Sequence, residues 1–296
     1  MRAFAGILKK LVRYVKVRAK LYVLLLVLMP VLSLSTSDVW AESRANALQK
    51  QALSEFDNPK TRALAVKHIN EALKLEPDKA LLWQNKALFL KVLDESESAL
   101  ACINRSIELN SKNSYSHALK TEILMNLNLS DQALRSINTA IKLEPRPEYA
   151  VLKASILAVQ GKLDLAEKQL DAVIKLNSHD RIARARRANV AKAARHWSKA
   201  IDDYSWLISA APAKSVSYYD NLLERSYAYL ELKQYDKALA DCKAGLAGMP
   251  TARQFNVALV KIYERSGNTS EARRARQALE AVDDDLKPPK SYRFKD

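Results

Sequence analysis

The chain has 296 residues, with 48 lysines and arginines against 33 aspartates and glutamates and a formal charge of +15. It holds only five glycines and two cysteines, which argues against a glycine-rich phosphate loop and excludes a disulfide framework. Seven of the basic residues and one acid fall in residues 1–41, so the remainder still carries +9 and favours anionic partners.

Residues 1–41 read as an export signal. A basic stretch ends at Lys20, and Leu21 to Leu34 (LYVLLLVLMPVLSL) is almost entirely apolar. With Pro30 inside it, this run is short for a membrane span of about 20 residues. Val39-Trp40-Ala41 offers small residues at the positions a signal peptidase reads, so cleavage is expected after Ala41. The mature chain is then periplasmic or secreted, in a Gram-negative-type envelope. The long basic start keeps two alternatives open, an uncleaved inner-membrane anchor and a mitochondrial-type presequence.

From Asn46 the sequence repeats. In the stretch Ala80 to Ser111, Trp83, Ala87 and Leu90 share one helical face. Asp94 to Ser98 forms a polar turn, and Ala99, Ile103, Ser106 and Ile107 mark the buried face of a second helix. The closing residues Pro77, Ser111, Pro145, Ser178 and Pro212 follow one another at steps of 34, 34, 33 and 34. A fixed period of this length is the mark of a helical solenoid. Repeats are expected near 46–79, 80–113, 114–146, 147–180, 181–214, 219–252 and 253–284. Pro212 to Pro250 spans 38 residues, so Lys214 to Tyr218 is expected as a longer connection. Residues 285–296, with Pro288 and Pro289, are expected as a basic disordered tail. Cys102 and Cys242 fall four repeats apart on second helices and are expected as small buried apolar residues.

The repeated positions resemble the tetratricopeptide repeat, W-x2-L-G-x2-Y in a first helix, then A-x3-F-x2-A and P in a second. The second unit matches at Trp83, Ala87, Leu90, Ala99, Ile103 and Ser106, and the third at Thr121, Leu124, Ala133, Ile137, Ala140 and Pro145. Ala154, Leu157, Gly161, Ala166, Leu170 and Val173 carry the fourth; Ala188, Trp197, Ala200, Tyr204 and Pro212 carry the fifth. The sixth keeps Ser226, Tyr229, Tyr235, Ala238, Cys242, Gly245 and Pro250, and the seventh Tyr263, Gly267, Ala272 and Leu279. In the first, Ala65, Ile69, Ala72 and Pro77 hold the second helix. Small residues are needed where paired helices cross closely. The resemblance implies an all-α, right-handed superhelical solenoid of about seven helix-turn-helix repeats.

It also implies a concave face built by the first helices. Carried over, the partner-binding positions include Leu81, Gln84, Leu88, Lys91, Tyr115, Glu122, Asn189, Lys192, Tyr227 and Leu230. Such a face suits an extended peptide or a helix of a protein partner. The family's carboxylate clamp is expected to be absent: Lys50 and Asn85 fit it, but Ser54, Tyr115 and Leu119 do not. A basic stripe is the other candidate: Lys86, Lys120, Lys153, Arg187 and Arg225 recur at one helix position, with Arg184 and Arg186 beside them. It would suit an acidic protein surface or an anionic, lipopolysaccharide-like envelope polymer; the competing reading has these heads snorkelling to water or pairing with acids.

His68, His117, His179 and His196 are scattered, with no metal-ligand spacing, and no catalytic motif is present. The sequence thus predicts a non-enzymatic scaffold without cofactor or metal. It is expected to serve as an adaptor for a secretion, pilus or outer-membrane assembly, with an acidic or peptide-presenting protein partner. No nucleic-acid partner is expected, and no membrane contact except through the N-terminal segment.

Overall fold

The computed structural model describes residues 40–285. The export signal and the basic tail inferred above lie, but for a few residues, outside them. Trp40 and Ala41 fall in the first turn of the first helix, so the expected cleavage point sits there. Among the described residues there are fourteen helices and no strand.

The chain divides into two compact units, the first ending at Leu129 and the second starting at Ser130. The first holds α1 (residues 40–56), α2 (Arg62–Leu75), α3 (Ala80–Val92), α4 (Ser96–Leu109) and α5 (Ser114–Asn126). The second holds α6 (Ser130–Leu143), α7 (Pro147–Val159), α8 (Leu163–Leu176), α9 (Arg181–Ala193) and α10 (Trp197–Ala210). It continues with α11 (Val216–Glu231), α12 (Tyr235–Gly248), α13 (Arg253–Arg265) and α14 (Thr269–Asp285). Within each unit, the main contacts from α2 onward join a helix to the next one or the next but one.

In three helix pairs an alanine sits on each facing helix, while Thr121 and Ser226 take the first-helix place in α5 and α11. Ala87 and Ala99, Ala154 and Ala166, and Ala188 and Ala200 are all fully buried. A larger side chain at these points would force the axes apart. Around them pack larger residues such as Ile103, Ile123 and Leu170, also fully buried; each contributes about 1.5–3 kcal/mol by leaving water. In the first unit the Phe56 and Phe89 rings stack at 4.1 Å. Closer still is the approach at α12, where a Cβ on Gly245 would lie 2.3 Å from the Phe255 ring of α13. Cys102 and Cys242 are buried free thiols, and burial pushes the Cys242 thiol up to about 11.

Every first helix from α3 onward stops in the same way. Asp94, Asn128, Gly161, Arg195, Lys233 and Gly267 take left-handed backbone angles, with φ between 57° and 78°. The next residue then sends its N–H back to the carbonyl five positions earlier: Glu95 to Leu90 at 2.9 Å, His196 to Ala191 at 2.8 Å and Gln234 to Tyr229 at 2.9 Å are examples. This Schellman closure satisfies carbonyls that the helix end leaves open. Only Gly161 and Gly267 adopt it without a Cβ penalty.

The long step before Pro250 is not a long loop. Val216 to Tyr218 are helical, so α11 has 16 residues where the other first helices from α3 onward have 13. Ser215 caps this extended start by accepting the Tyr218 N–H at 3.2 Å. Polar Lys214 and Ser215 suggest a loop continuing through Tyr218, but a serine cap with Val-Ser-Tyr behind it starts the helix early.

Candidate functional site

In the second unit, α9, α10 and α11 border a half-open recess of about 330 Å³. Its lining is Ala185 and Asn189 from α9, Tyr204 from α10, and Asp220, Asn221, Leu223 and Glu224 from α11. Two first helices and the second helix between them therefore build one recess. Tyr204 is 2% exposed and donates its hydroxyl hydrogen to Asn189 Oδ1 at 3.0 Å. Burial, helped by the Glu224 and Asp203 charges, pushes that hydroxyl well up, so it stays protonated and serves as a donor. Glu224 Oε2 accepts from Lys192 Nζ at 2.6 Å, across the same two helices. Asn221 Nδ2 donates to the Ser217 carbonyl at 2.7 Å, which leaves its oxygen available. Asp220 is exposed and has no partner among the described residues.

The partner-binding positions proposed from sequence fare unequally. Asn189 lines the cavity, and Lys192 stands beside it through Glu224. Tyr227 is half-buried, with the Lys261 ammonium 5.4 Å above its ring. Leu230, at 3% exposed, belongs to the core and offers no surface to a ligand. In the first unit Leu81 and Tyr115 are exposed, and Leu88 is half-buried against the α3–α4 core. Lys91 and Glu122 pair with each other between α3 and α5. Gln84 is buried; its oxygen accepts from Asn113 at 2.8 Å and from Ser116 at 2.9 Å, so it ties two repeats together and does not face solvent.

The basic stripe is largely turned inward. Arg187 grips Asp203 through Nε at 2.7 Å and Nη2 at 2.8 Å, and reaches Asp171 through Nη1 at 2.7 Å. Arg184 donates to Asp203 at 2.9 Å and lies over the Trp206 ring at 4.6 Å. Arg225 is bidentate on Asp241, at 2.9 and 2.7 Å, and adds Ser205 at 3.0 Å. Each of these two pairs joins an arginine to an aspartate sixteen residues on, in the second helix of the same pair. The equivalent residues after Lys86 and Lys153 are Cys102 and Gln169, which supply no charge. Lys86 instead lies over Trp83 at 5.5 Å. Lys153 is half-buried without a carboxylate partner among the described residues, and burial holds the Lys120 ammonium below its usual range. Arg186 alone among the stripe residues is exposed.

Sequence reasoning missed Tyr204, Asn221 and Glu224 as cavity residues. The repeat pattern marks Tyr204 as packing, which it is through its ring, while its hydroxyl turns to the recess. The signal for Glu224 was its spacing of 32 residues from Lys192, which places one acid and one base on adjacent first helices. Among the described residues no group of His, Cys, Asp or Glu is placed to hold a metal ion, and no helix is long and apolar enough to cross a membrane.

A sequence profile described as a tetratricopeptide repeat matches residues 122–181. No curated protein sequence matches the chain significantly. Among solved structures, PilW, a widely conserved type IV pilus biogenesis factor, superposes with a TM-score of 0.63 at 17% identity, over 73% of this chain and 98% of that one. A tetratricopeptide repeat protein from Parabacteroides merdae gives a TM-score of 0.61 at 17% identity, over 81% of this chain and 93% of the other. YrrB, a TPR protein with an unusual peptide-binding site, gives 0.52 at 17% identity, over 64% of this chain and 96% of its own. At such identities the likeness speaks for the fold.

Proposed function

We propose that the chain is a tetratricopeptide repeat protein, as the profile over residues 122–181 and the shared fold support, and that it works as a non-catalytic adaptor in a bacterial envelope, holding a peptide or helix of a partner protein. The observation that carries this reading is the recess between α9, α10 and α11. It is lined by first-helix residues of two successive repeats, with a buried tyrosine hydroxyl and free carboxylate and amide oxygens at hand. An extended chain laid along that face would place one side chain in it and leave its backbone over Leu223 and Ala185. At about 330 Å³ the recess lies at the lower end of the roughly 300–1,000 Å³ of small-molecule pockets and has room for an anchoring side chain.

The envelope setting rests on the apolar run Leu21 to Leu34 and its flanks. A fold shared with a type IV pilus biogenesis factor makes an assembly of that kind the natural place to look. An anionic envelope polymer is the weaker reading, because Arg184, Arg187 and Arg225 are already engaged with acids.

The test is photo-crosslinking in cells from a reactive amino acid at exposed Asn189, with exposed Lys168 on α8 as the control position. One recurrent protein captured from Asn189 and not from Lys168 is the expected result. Capture of glycan alone, or nothing beyond the control, would sink the reading.

A further inference from the structure

We propose that the α9–α11 recess is a receptor for a lysine or arginine side chain of the partner, so that the local partner is basic although the chain itself is basic overall. The inference rests on the peptide-binding reading above and adds the chemistry of the anchoring residue.

Charge around the recess decides it. Two carboxylates, Asp220 and Glu224, stand against one ammonium, Lys192, which Glu224 already holds at 2.6 Å. The nearby guanidinium of Arg225 turns away to Asp241 and Ser205. Arg184 and Arg187 are held by Asp203, a fully buried carboxylate. Asp220 is therefore the acid at this site that no cation answers. The other polar groups are acceptors as much as donors: the Asn221 oxygen is free, and Asn189 Oδ1 already takes the Tyr204 proton. A carboxylate arriving here would meet Asp220 with no free cation to offset it. An ammonium or guanidinium would meet Asp220, the second oxygen of Glu224 and the Asn221 carbonyl, while its aliphatic stem lay on Leu223 and Ala185. Partial enclosure strengthens such a pair relative to one in open water.

A library of randomised short peptides displayed on phage, selected on the purified full chain, tests this. Enriched peptides are expected to share a lysine or arginine at one position, and Asp220→Asn should weaken the selected peptides about tenfold or more. Asp220→Lys should replace that basic preference by aspartate or glutamate. Asp220 is exposed, so both variants should keep the fold, which helical circular dichroism and the melting temperature would check. Peptides enriched without a basic preference, or a basic preference untouched by Asp220→Lys, would overturn the inference and leave the peptide-binding reading standing. If no peptide is enriched at all, the peptide-binding reading falls and this inference with it.

Discussion

Replacing Asp203 by asparagine should destabilise the second unit by about 3 kcal/mol. Its carboxylate is fully buried and accepts three hydrogen bonds from two guanidinium groups, at 2.9, 2.7 and 2.8 Å. Taken singly, hydrogen bonds to charged groups contribute roughly 1.5–3 kcal/mol each, so a simple sum would exceed 4 kcal/mol. Two features lower it. Arg187 keeps Asp171, and the guanidinium side chains of Arg184 and Arg187 retain 16% and 15% of their exposure, so water compensates in part. The amide also keeps one acceptor oxygen, while its NH₂ faces cationic donors. Breaking a buried pair from one side costs about 3–5 kcal/mol, and the lower end applies here. Urea unfolding should show a lower midpoint with an unchanged slope, and the melting temperature should fall by roughly 6–12 °C. Asp202→Asn, on the neighbouring exposed residue, should stay within about 0.5 kcal/mol of the parent. High salt should leave the difference standing, because buried pairs are weakly screened. A loss below about 1 kcal/mol, the value of an exposed pair, would refute the reasoning.

Burial pushes the Glu167 carboxyl up, but hydrogen bonds from Lys199 and His196 outweigh it and hold the group below its usual range. A carboxylate depressed in the folded state adds stability above its unfolded value, about 4.3, and loses it as pH falls through the folded value. Glu167→Gln should therefore cost about 1 kcal/mol at neutral pH, limited by the solvent around His196 and Lys199, and that cost should shrink as pH falls below the unfolded value and through the folded one; chemical unfolding across an acid pH series reads the change, and a pH-independent cost would contradict it. Gly245→Ala drives a Cβ into the buried Phe255 ring and should lose about 2 kcal/mol net of the helix propensity gained. Gly161→Ala meets open space and should lose only about 1 kcal/mol, from its left-handed backbone. Equal thermal shifts for the two would mean that the close approach at α12 is not a packing constraint.

Helix pairing was legible because it depends on a period and on where small residues fall. Ala87, Ala99, Ala154, Ala166, Ala188 and Ala200 are read directly from the repeat, and all are fully buried. The recess was half legible. Asn189 and Lys192 come from a positional rule for first helices, whereas Tyr204 reaches the site from a second helix, where the rule expects only packing. Leu230 shows the opposite failure: the rule points it outward, and the apolar neighbourhood of α11 takes it in. The stripe left two readings open, because a run of like residues reads as a surface until its counter-charges are located. Arg187 and Arg225 find theirs sixteen residues downstream, a separation that no single-helix spacing reveals. The turn residues show the limit of a glycine search: Asp94, Asn128, Arg195 and Lys233 take the left-handed turn that Gly161 and Gly267 also take.

Because each helix leans mainly on its sequence neighbours, the wiring within a unit has short range along the chain. Loops closed in forming it are short, so little chain entropy opposes the first contacts, and folding of this kind is fast and free to begin at any pair. The same wiring makes cooperativity nearest-neighbour in character. Loss of α14 removes the cover of α13 and leaves the α9–α10 pairing intact, so amide protection should be graded along the second unit and lowest at its C-terminal end. A partner clasped between α9 and α11 would then act as a staple across two links of that chain, raising the protection of the links it spans and leaving the frayed end as it was.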